Sequence, residues 1–293
     1  MNFAQLRAFY AVAQHGTFSA AALALNVSQP AITQHVRALE EAMGNRLFHR
    51  RGTGVDLTQD GNDLLPHVHQ IIKGLEDVTA RIDGGKELRT GHLTIGFCSP
   101  HVAMPLIRRF RQTRPGIQID TRMSNTSMLL EMVSQQRADI AVVTLTEPRT
   151  ELFCHRLVAQ EVLILVPANH PWAGRGEIGI AELSDQPFVI REAGSMTRQI
   201  FERALGEKGI AIRHDLVLAS REAMKEAVAN GLGLGIVLDK ELGSDPRLVG
   251  LRVTGASLSA SEYLVAHPEI CELGAVREFI ASVAGVPEDP GLS

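Results

Sequence analysis

From His92 to Ala284 the chain alternates between short apolar runs and longer amphipathic segments. Nothing else in the sequence narrows the fold as sharply. The apolar runs read as strands at His92–Cys98, Ile117–Arg122, Ile140–Val143, Val162–Val166, Phe188–Ile190, Ile212–Leu218, Leu234–Leu238, Leu248–Val253 and Tyr263–Ala266. The periodic segments read as helices at Pro100–Gln112, Ser127–Gln136, Thr197–Lys208, Arg221–Asn230 and Leu273–Ala284. Strands that are apolar on both faces, with helices between them, indicate parallel sheets covered on both sides. A chain of 293 residues, 45% of them hydrophobic, has room for such a body and for smaller units besides. No run approaches the ~18 apolar residues of a membrane span.

The first sixty residues differ in charge and in pattern. The chain carries a formal net charge of −4, but residues 1–59 hold five Arg against Glu40, Glu41 and Asp56, which leaves +2 there and −6 on the remainder. Three of those arginines, Arg46, Arg50 and Arg51, fall within six residues. A basic patch on an acidic body fits a small nucleic-acid module joined to something else. Residues 2–15 read as a helix on Phe3, Leu6, Phe9 and Ala13, stopped by Gly16. A short Ala-rich helix covers 19–25. After the break at Asn26-Val27, Ser28 is placed to cap a third helix with Pro30 in its first turn. Ile32, Val36, Leu39 and Met43 give that helix its buried stripe. Gln29, Thr33, Gln34 and Arg37 then point away from it, carrying the donors and acceptors that base edges require. Helix, short turn, helix is the geometry that presents a second helix to the major groove. Gly52-Thr53-Gly54 before Val55-Asp56-Leu57 predicts a hairpin wing along the phosphates.

The stretch Thr17-Phe18-Ser19-Ala20-Ala21-Ala22, then Val27-Ser28-Gln29-Pro30-Ala31-Ile32-Thr33, Leu39-Glu40, Leu47-Phe48-His49-Arg50, Leu57-Thr58 and Gly61 resembles the DNA-binding domain of LysR-type transcriptional regulators. Overall length and domain order agree over nearly the whole chain. The resemblance implies an α/β fold class with a winged helix-turn-helix at 1–58, a linker helix and hinge at 59–90, and an effector-binding domain at 91–293. That domain would be two-lobed and similar to periplasmic binding proteins. Lobe I would hold 91–162 and 267–293, lobe II 163–266, with chain crossings near Glu161–Leu163 and Ala266–Pro268. Ser28, Gln29, Pro30, Thr33, Gln34 and Arg37 would belong to the reading helix, and Arg50 and Arg51 to the wing. The implied partners are double-stranded DNA, a small-molecule effector, the chain itself as a dimer or a dimer of dimers, and RNA polymerase, with no membrane. Within the family, Gln5–Phe9, Phe48–Gly52 and Glu222–Lys225 resemble regulators associated with 2-aminoethylphosphonate catabolism.

Between the two parts, Thr58 is placed to start a long helix ending near Arg81 or Asp83. Leu64, Val68, Ile71, Leu75, Val78 and Ile82 step by four and three, an a/d seam of under three heptads. A helix this long leaves its seam in water unless a partner covers it, and the expected partner is the same helix of a second subunit. Pro66 removes one hydrogen bond and predicts a kink or a disturbed first stretch. Asp83-Gly84-Gly85-Lys86 reads as the hinge.

In open α/β sheets a ligand lies beyond the C-terminal strand ends, where helix N-termini converge. Ser99, Pro100 and His101 follow the first strand, Asn125, Thr126 and Ser127 the second, and Thr144 the third. Ser195 with Arg198, and Ser220 with Arg221, open later helices. Small hydroxyl residues at such points either cap their own helix or reach a ligand. Free N–H groups and helix dipoles there favour an anion, so a small anionic metabolite is expected. Arg198 and Arg221 complete the neutralisation if they turn inward, and Arg221 reads as the surface residue of the two.

Other chemistries find no pattern. Gly231-Leu232-Gly233-Leu234-Gly235 follows a helix and precedes a strand, the reverse of a dinucleotide loop, and reads as a turn. No Gly-x-x-x-x-Gly-Lys-Ser/Thr and no His-Glu-x-x-His occurs. His67 and His69 face different sides of a helix. Cys98, Cys154 and Cys271 make neither a disulfide framework nor a metal set. Cys98 reads as a buried strand cysteine, although some members of the resembled family use one in redox sensing. No cofactor and no enzymatic activity are expected. Met1-Asn2-Phe3-Ala4-Gln5 has no basic flank before an apolar stretch, so a cytoplasmic protein is expected.

Overall fold

The computed structural model describes residues 1–52, 54–82 and 91–284. The chain opens with three helices, α1 (Phe3–His15), α2 (Phe18–Ala24) and α3 (Gln29–Met43). Each start is fixed by a polar side chain: Asn2 and Gln5 form a reciprocal capping box, and Thr17 and Ser28 accept from the N–H three residues on. Phe9, Val12, Ala21, Ile32, Val36 and Leu39 close a core with Leu47 and Phe48. An antiparallel wing follows, β1 (Phe48–Arg51) and β2 (Gly54–Leu57), with Arg50 opposite Val55. Gly61 begins the next helix hard against the wing, where a Cβ would sit 2.3 Å from the Leu47 carbonyl oxygen. Only glycine fits there.

That helix, α4 (Gln59–Ile82), runs on through Pro66 without ending. Its expected seam divides. Val68 is fully buried with Leu65 against the helical head, and Leu64 is half-buried there. Ile71, Leu75 and Val78 stand open at 48%, 44% and 50% exposure. The Ile82 side chain and the hinge at 83–86 lie outside the described residues. The opposite side of α4 packs on the large domain at α9 and the Pro268–Ile270 turn.

Lobe I contains β3 (Gly91–Phe97), α5 (Pro100–Thr113), β4 (Ile117–Met123), α6 (Thr126–Ser134) and β5 (Ile140–Leu145). β6 (Phe153–Pro167) then crosses into lobe II. That lobe continues through β7 (Glu177–Gly179), β8 (Pro187–Arg191), α7 (Met196–Glu207), β9 (Arg213–Leu218), α8 (Arg221–Ala229), β10 (Gly235–Leu238) and β11 (Leu248–Thr254). β12 (Ser259–Ala266) and α9 (Gly274–Ala284) complete lobe I. The sheet of lobe I runs β4-β3-β5-β12-β6, parallel in its first three strands. In lobe II, β10 and β11 flank the second half of β6, β7 pairs with β11, and the parallel β8-β9 pair joins β10 through a Phe188–Leu234 bridge. The glycines 231–235 make the turn between α8 and β10.

β6 pairs with β12 through Glu161 and with β10 from Val162, so the outward crossing lies there. The return crossing lies at residues 255–258, not at Ala266–Pro268. Every residue of β12 from Ser259 pairs with β6 or β5 of lobe I. The polar start of this strand, Ser259-Ala260-Ser261-Glu262, hid its extent, although Ser261 and Glu262 are buried.

A buried ion cluster ties α4 to lobe I. Asp139, just before β5, takes His69 Nε2 at 2.7 Å and Lys73 Nζ at 3.2 Å on one oxygen, and the Thr94 N–H at 2.6 Å on the other. Lys73 also donates to the His92 carbonyl. Burial alone would raise the Asp139 carboxyl, but Lys73, His69 and the Thr94 N–H outweigh it and hold the group well below the usual range. Asp139→Asn strands the Lys73 charge, at an expected cost of about 3–5 kcal/mol. Because the folded value is depressed, the carboxylate's stabilisation is present above about pH 4 and fades as pH falls below it. Denaturant titrations across acid pH check both points: the wild-type loss on acidification should be reduced in the variant. An unchanged midpoint in Asp139→Asn would remove the cluster from the stability argument.

Candidate nucleic-acid interface and interlobe cleft

Gln29, Pro30, Thr33, Gln34 and Arg37 are all exposed on α3 and line one shallow concavity. The helix is turned this way because Ile32, Val36 and Leu39 fill the core behind it. Ser28 sits at the helix start, where its hydroxyl accepts from the Ala31 N–H at 3.4 Å. The Thr33 hydroxyl donates to the Gln29 carbonyl at 3.0 Å, and Gln29 Oε1 accepts from the Ser19 hydroxyl at 3.1 Å. Arg37 pairs with Glu41 at 2.9 Å and Arg51 with Asp56 at 3.0 Å, both in solvent. Exposed pairs of this kind contribute only about 0.2–1 kcal/mol, so a nucleic acid can take either arginine at little cost. Arg50 lies on β1, and its side chain is outside the described residues. Between α3 and the wing runs a groove lined by Thr33, Arg37, Arg46 and Val55. Ser19 and Arg46 are additions to the expected set. Arg46 was visible in the basic run, whereas Ser19 is placed here by its hydrogen bond to Gln29.

The lobes enclose a cavity of about 320 Å³ where α5, α6, α7 and α8 begin. Of the residues expected there, Pro100, Asn125, Thr126, Thr144, Ser195 and Ser220 line it. Asn125 and Ser220 are engaged in capping, accepting from the Met128 and Ala223 N–H groups. Thr126 donates to the Thr144 carbonyl at 3.4 Å. At Gly194 the lobes touch: a Cβ there would lie 2.5 Å from Asn125 Oδ1.

The other expected residues are placed elsewhere. Ser99 lies wholly buried behind the wall, its hydroxyl between the Glu262 and Glu241 carboxyls, and does not cap α5. His101 is half-buried, and burial with the nearby Arg221 charge lowers its imidazole to about 4. Ser127 is exposed and contributes its N–H to the Gly194 carbonyl across the lobes. Arg198 turns back to Glu202 at 2.7 Å and the Arg191 carbonyl at 2.8 Å.

Charge in the cleft comes instead from Arg191 and Arg221, with side chains 13% and 17% exposed. Arg191 forks onto Glu192 with two 2.9 Å contacts. Arg221, expected at the surface, reaches the Cys98 carbonyl at 3.1 Å and Glu241 at 2.5 Å. Arg191, the last residue of β8, was not among the expected residues, although the strand-end rule could have found it; Glu241, Glu262 and Gln160 left no such mark. Burial pushes Glu241 up to about 7 against the opposing Arg221, and Glu262 is raised by burial against the pull of its donors. Cys98, beside Thr144, is pushed up to about 11 by burial and by Glu262. A thiol kept protonated is a poor nucleophile.

Residues 3–62 match the family described as bacterial regulatory helix-turn-helix protein, lysR family, and residues 86–286 match the LysR substrate binding domain. The RuBisCO operon transcriptional regulator of Allochromatium vinosum is 33% identical over 293 residues, covering 97% of each chain. A full-length OxyR variant from Pseudomonas aeruginosa shares the fold at TM-score 0.75 and 19% identity, over 98% of this chain and 96% of that one. The CcmR regulatory domain of Synechocystis PCC6803, solved in complex with 2-PG, is 25% identical at TM-score 0.56 and covers 61% of this chain and 88% of that one. These proteins carry regulators' names rather than enzymes' names, and the RuBisCO relative does not support the aminoethylphosphonate grouping. The chain belongs to the LysR family of transcriptional regulators, with an N-terminal DNA-binding domain and a C-terminal effector-binding domain.

Proposed function

We propose that this regulator reads its operator with α3 and answers to a small anion held between the lobes. The observation that carries the effector reading is the pair of largely buried arginines, Arg191 and Arg221, on the wall of a cavity where four helices begin. Helix N-termini and guanidinium groups favour the same sign of ligand. The 2-PG bound by the CcmR domain supports this class and makes 2-PG the first compound to test. The Allochromatium relative makes a RuBisCO operon the first target to test. Acting there would place the protein in the cytoplasm beside RNA polymerase. On DNA, Gln29, Thr33, Gln34 and Arg37 read bases, Ser28 and Pro30 set the helix start, and Arg50 and Arg51 hold phosphates.

The response has a physical route. β3 and β5 are parallel neighbours. One end of the pair carries His92, Thr94 and Asp139, which hold α4. The other carries Cys98 and Thr144 at the cleft. A ligand that favours one arrangement of the lobes shifts the balance between two presentations of the reading heads, provided its affinity for them differs.

Arg37→Ala should cost about 1–3 kcal/mol at the specific site and relax base preference, whereas Arg51→Ala should weaken all sequences alike and reduce the salt slope by about one. Gel-shift titrations at several salt concentrations separate the two, and unchanged specific binding in Arg37→Ala would dismiss the base-reading role. The open stripe of Ile71, Leu75 and Val78 is proposed as the subunit contact. Leu75→Asp with Val78→Asp should convert dimers to monomers in sedimentation, and a fully dimeric double variant would move the interface elsewhere. Arg191→Gln should weaken 2-PG binding at least tenfold by calorimetry; full-strength binding would clear Arg191 of any role.

A further inference from the structure

Two carboxyl groups from opposite lobes meet on one serine behind the cleft wall. Glu262 of β12 is fully buried, and its Oε1 accepts from the Ser99 hydroxyl at 2.7 Å, the Thr144 hydroxyl at 2.7 Å and the Gln160 amide at 2.8 Å. Glu241, on the helical turn Asp239–Glu241 of lobe II, places its Oε1 3.1 Å from the same Ser99 Oγ and 2.5 Å from Arg221 Nη2. A serine hydroxyl has one proton to give. It can donate to one of these carboxyls only, and the other contact is attractive only if that carboxyl brings a proton of its own. The shorter distance and the two further donors identify Glu262 as the acceptor. Of the two carboxyls, Glu241 is therefore the one for which an added proton would turn the contact with Ser99 into a hydrogen bond.

The surroundings agree with this assignment. Burial pushes Glu241 up to about 7, Glu262 adds to the rise, and Arg221 on α8 and Arg191 on β8 oppose it. Lys225 of α8 donates to the carbonyls of Glu241 and Leu242 rather than to the carboxyl. Asp239 and Lys240 lie on the same turn, and His101 of α5 is held neutral. Arg221 joins Glu241 to the cavity, since it both lines the cavity and pairs with the carboxylate.

We propose that anion binding between the lobes is coupled to the uptake of one proton by Glu241. This rests on the reading of the cleft as an anion site. An anion that takes the Arg221 guanidinium releases the Glu241 carboxylate, which is protonated from solvent and stays on Ser99 as the neutral acid. One anion and one proton enter, and nothing leaves. Below neutrality Glu241 already carries the proton, so affinity is high and flat. Above neutrality each bound anion must bring its proton along, and affinity falls about tenfold per pH unit.

The test titrates the full chain with sulfate and, separately, with oxalate, since neither changes charge between about pH 6 and about pH 8, where the linkage is expressed. At the upper pH, calorimetry in buffers of different ionisation enthalpy should report about one proton taken up per anion, falling towards none at the lower pH. Glu241→Gln, a neutral isostere that keeps the Ser99 contact, should bind with a flat pH profile and no uptake. Wild-type binding without proton uptake, or a Gln variant with the wild-type pH profile, overturns the coupling and leaves the anion site standing. If neither anion binds to chain that melts cooperatively, the anion reading fails and the coupling fails with it. The wild-type uptake measurement decides the matter even if the variant does not fold.

Discussion

The arrangement of head, linker and body depends on one buried carboxylate. Asp139 is 1% exposed and is gripped by His69 and Lys73, which lie four residues apart on one face of α4. Removing three ionisable groups from water is costly, and attraction between them repays that cost only in good geometry. Apolar residues of similar volume would hold the helix as firmly, but they would tolerate sliding. An ion cluster with a backbone donor from Thr94 accepts one register only. Tyr10 of α1 packs on His69, with ring centroids 5.3 Å apart and the planes tilted by 33°, so the head is positioned by the same cluster. A second tie is the Arg122 guanidinium of β4 donating to the Gln14 carbonyl of α1.

This register matters because the strands that anchor α4 also floor the cleft. Asp139 directly precedes β5, and Thr144 near its other end donates to Glu262 and lines the cavity. β3 runs alongside from His92, whose carbonyl takes Lys73, and leads into Ser99, whose hydroxyl sits between Glu241 and Glu262. Hydrogen-bonded parallel strands in a close-packed interior transmit displacement along their length rather than absorb it. The two ends are thus joined by the hydrogen-bonded strands β3 and β5.

Much of this was legible before the structure. The α3 face could be read because a helix buried on one side must expose the other, and Ile32, Val36 and Leu39 fixed which side that is. The strand cores could be read because they are apolar throughout. What escaped notice were polar residues buried by tertiary context. The first half of β6, from Phe153 to Glu161, and the first four residues of β12 are strand without an apolar run, the former because most of it is only half-buried and the latter because it is buried beside polar partners. Nothing in the sequence around Glu262 and Gln160 marks them as buried. The hydroxyls after the strands were easy to find, but their roles were not. A hydroxyl at a strand end is equally suited to a cap, a carboxylate or a ligand: Ser220 caps its helix, Ser99 meets two carboxyls, and Ser195 makes no cap and lines the cavity. The α4 seam misled in part because periodicity reports which residues share a face and not what covers it: Val68 meets the head, whereas Ile71 meets solvent.

The arginines of the cleft are already answered by carboxylates of their own lobe, Arg191 by Glu192 and Arg221 by Glu241. An anion site without such partners would hold bare guanidinium groups in a half-buried pocket and would attract any abundant anion. Internal carboxylates set a threshold. A monatomic anion offers one point of charge and cannot replace a forked contact, whereas a phosphate or carboxylate presents paired oxygens matching the planar guanidinium. Discrimination then arises as a difference between two competing pairings rather than from the strength of either one. The two partners are also unequal. Glu192 stays half-buried near the cavity mouth, while Glu241 is sealed behind it and easily neutralised. Of the two arginines, Arg221 is therefore the one whose partner can be switched off by a proton, and it is also the one that spans both lobes through the Cys98 carbonyl. In the proposed anion site, ligand selection and the contact between the lobes would thus meet on a single side chain.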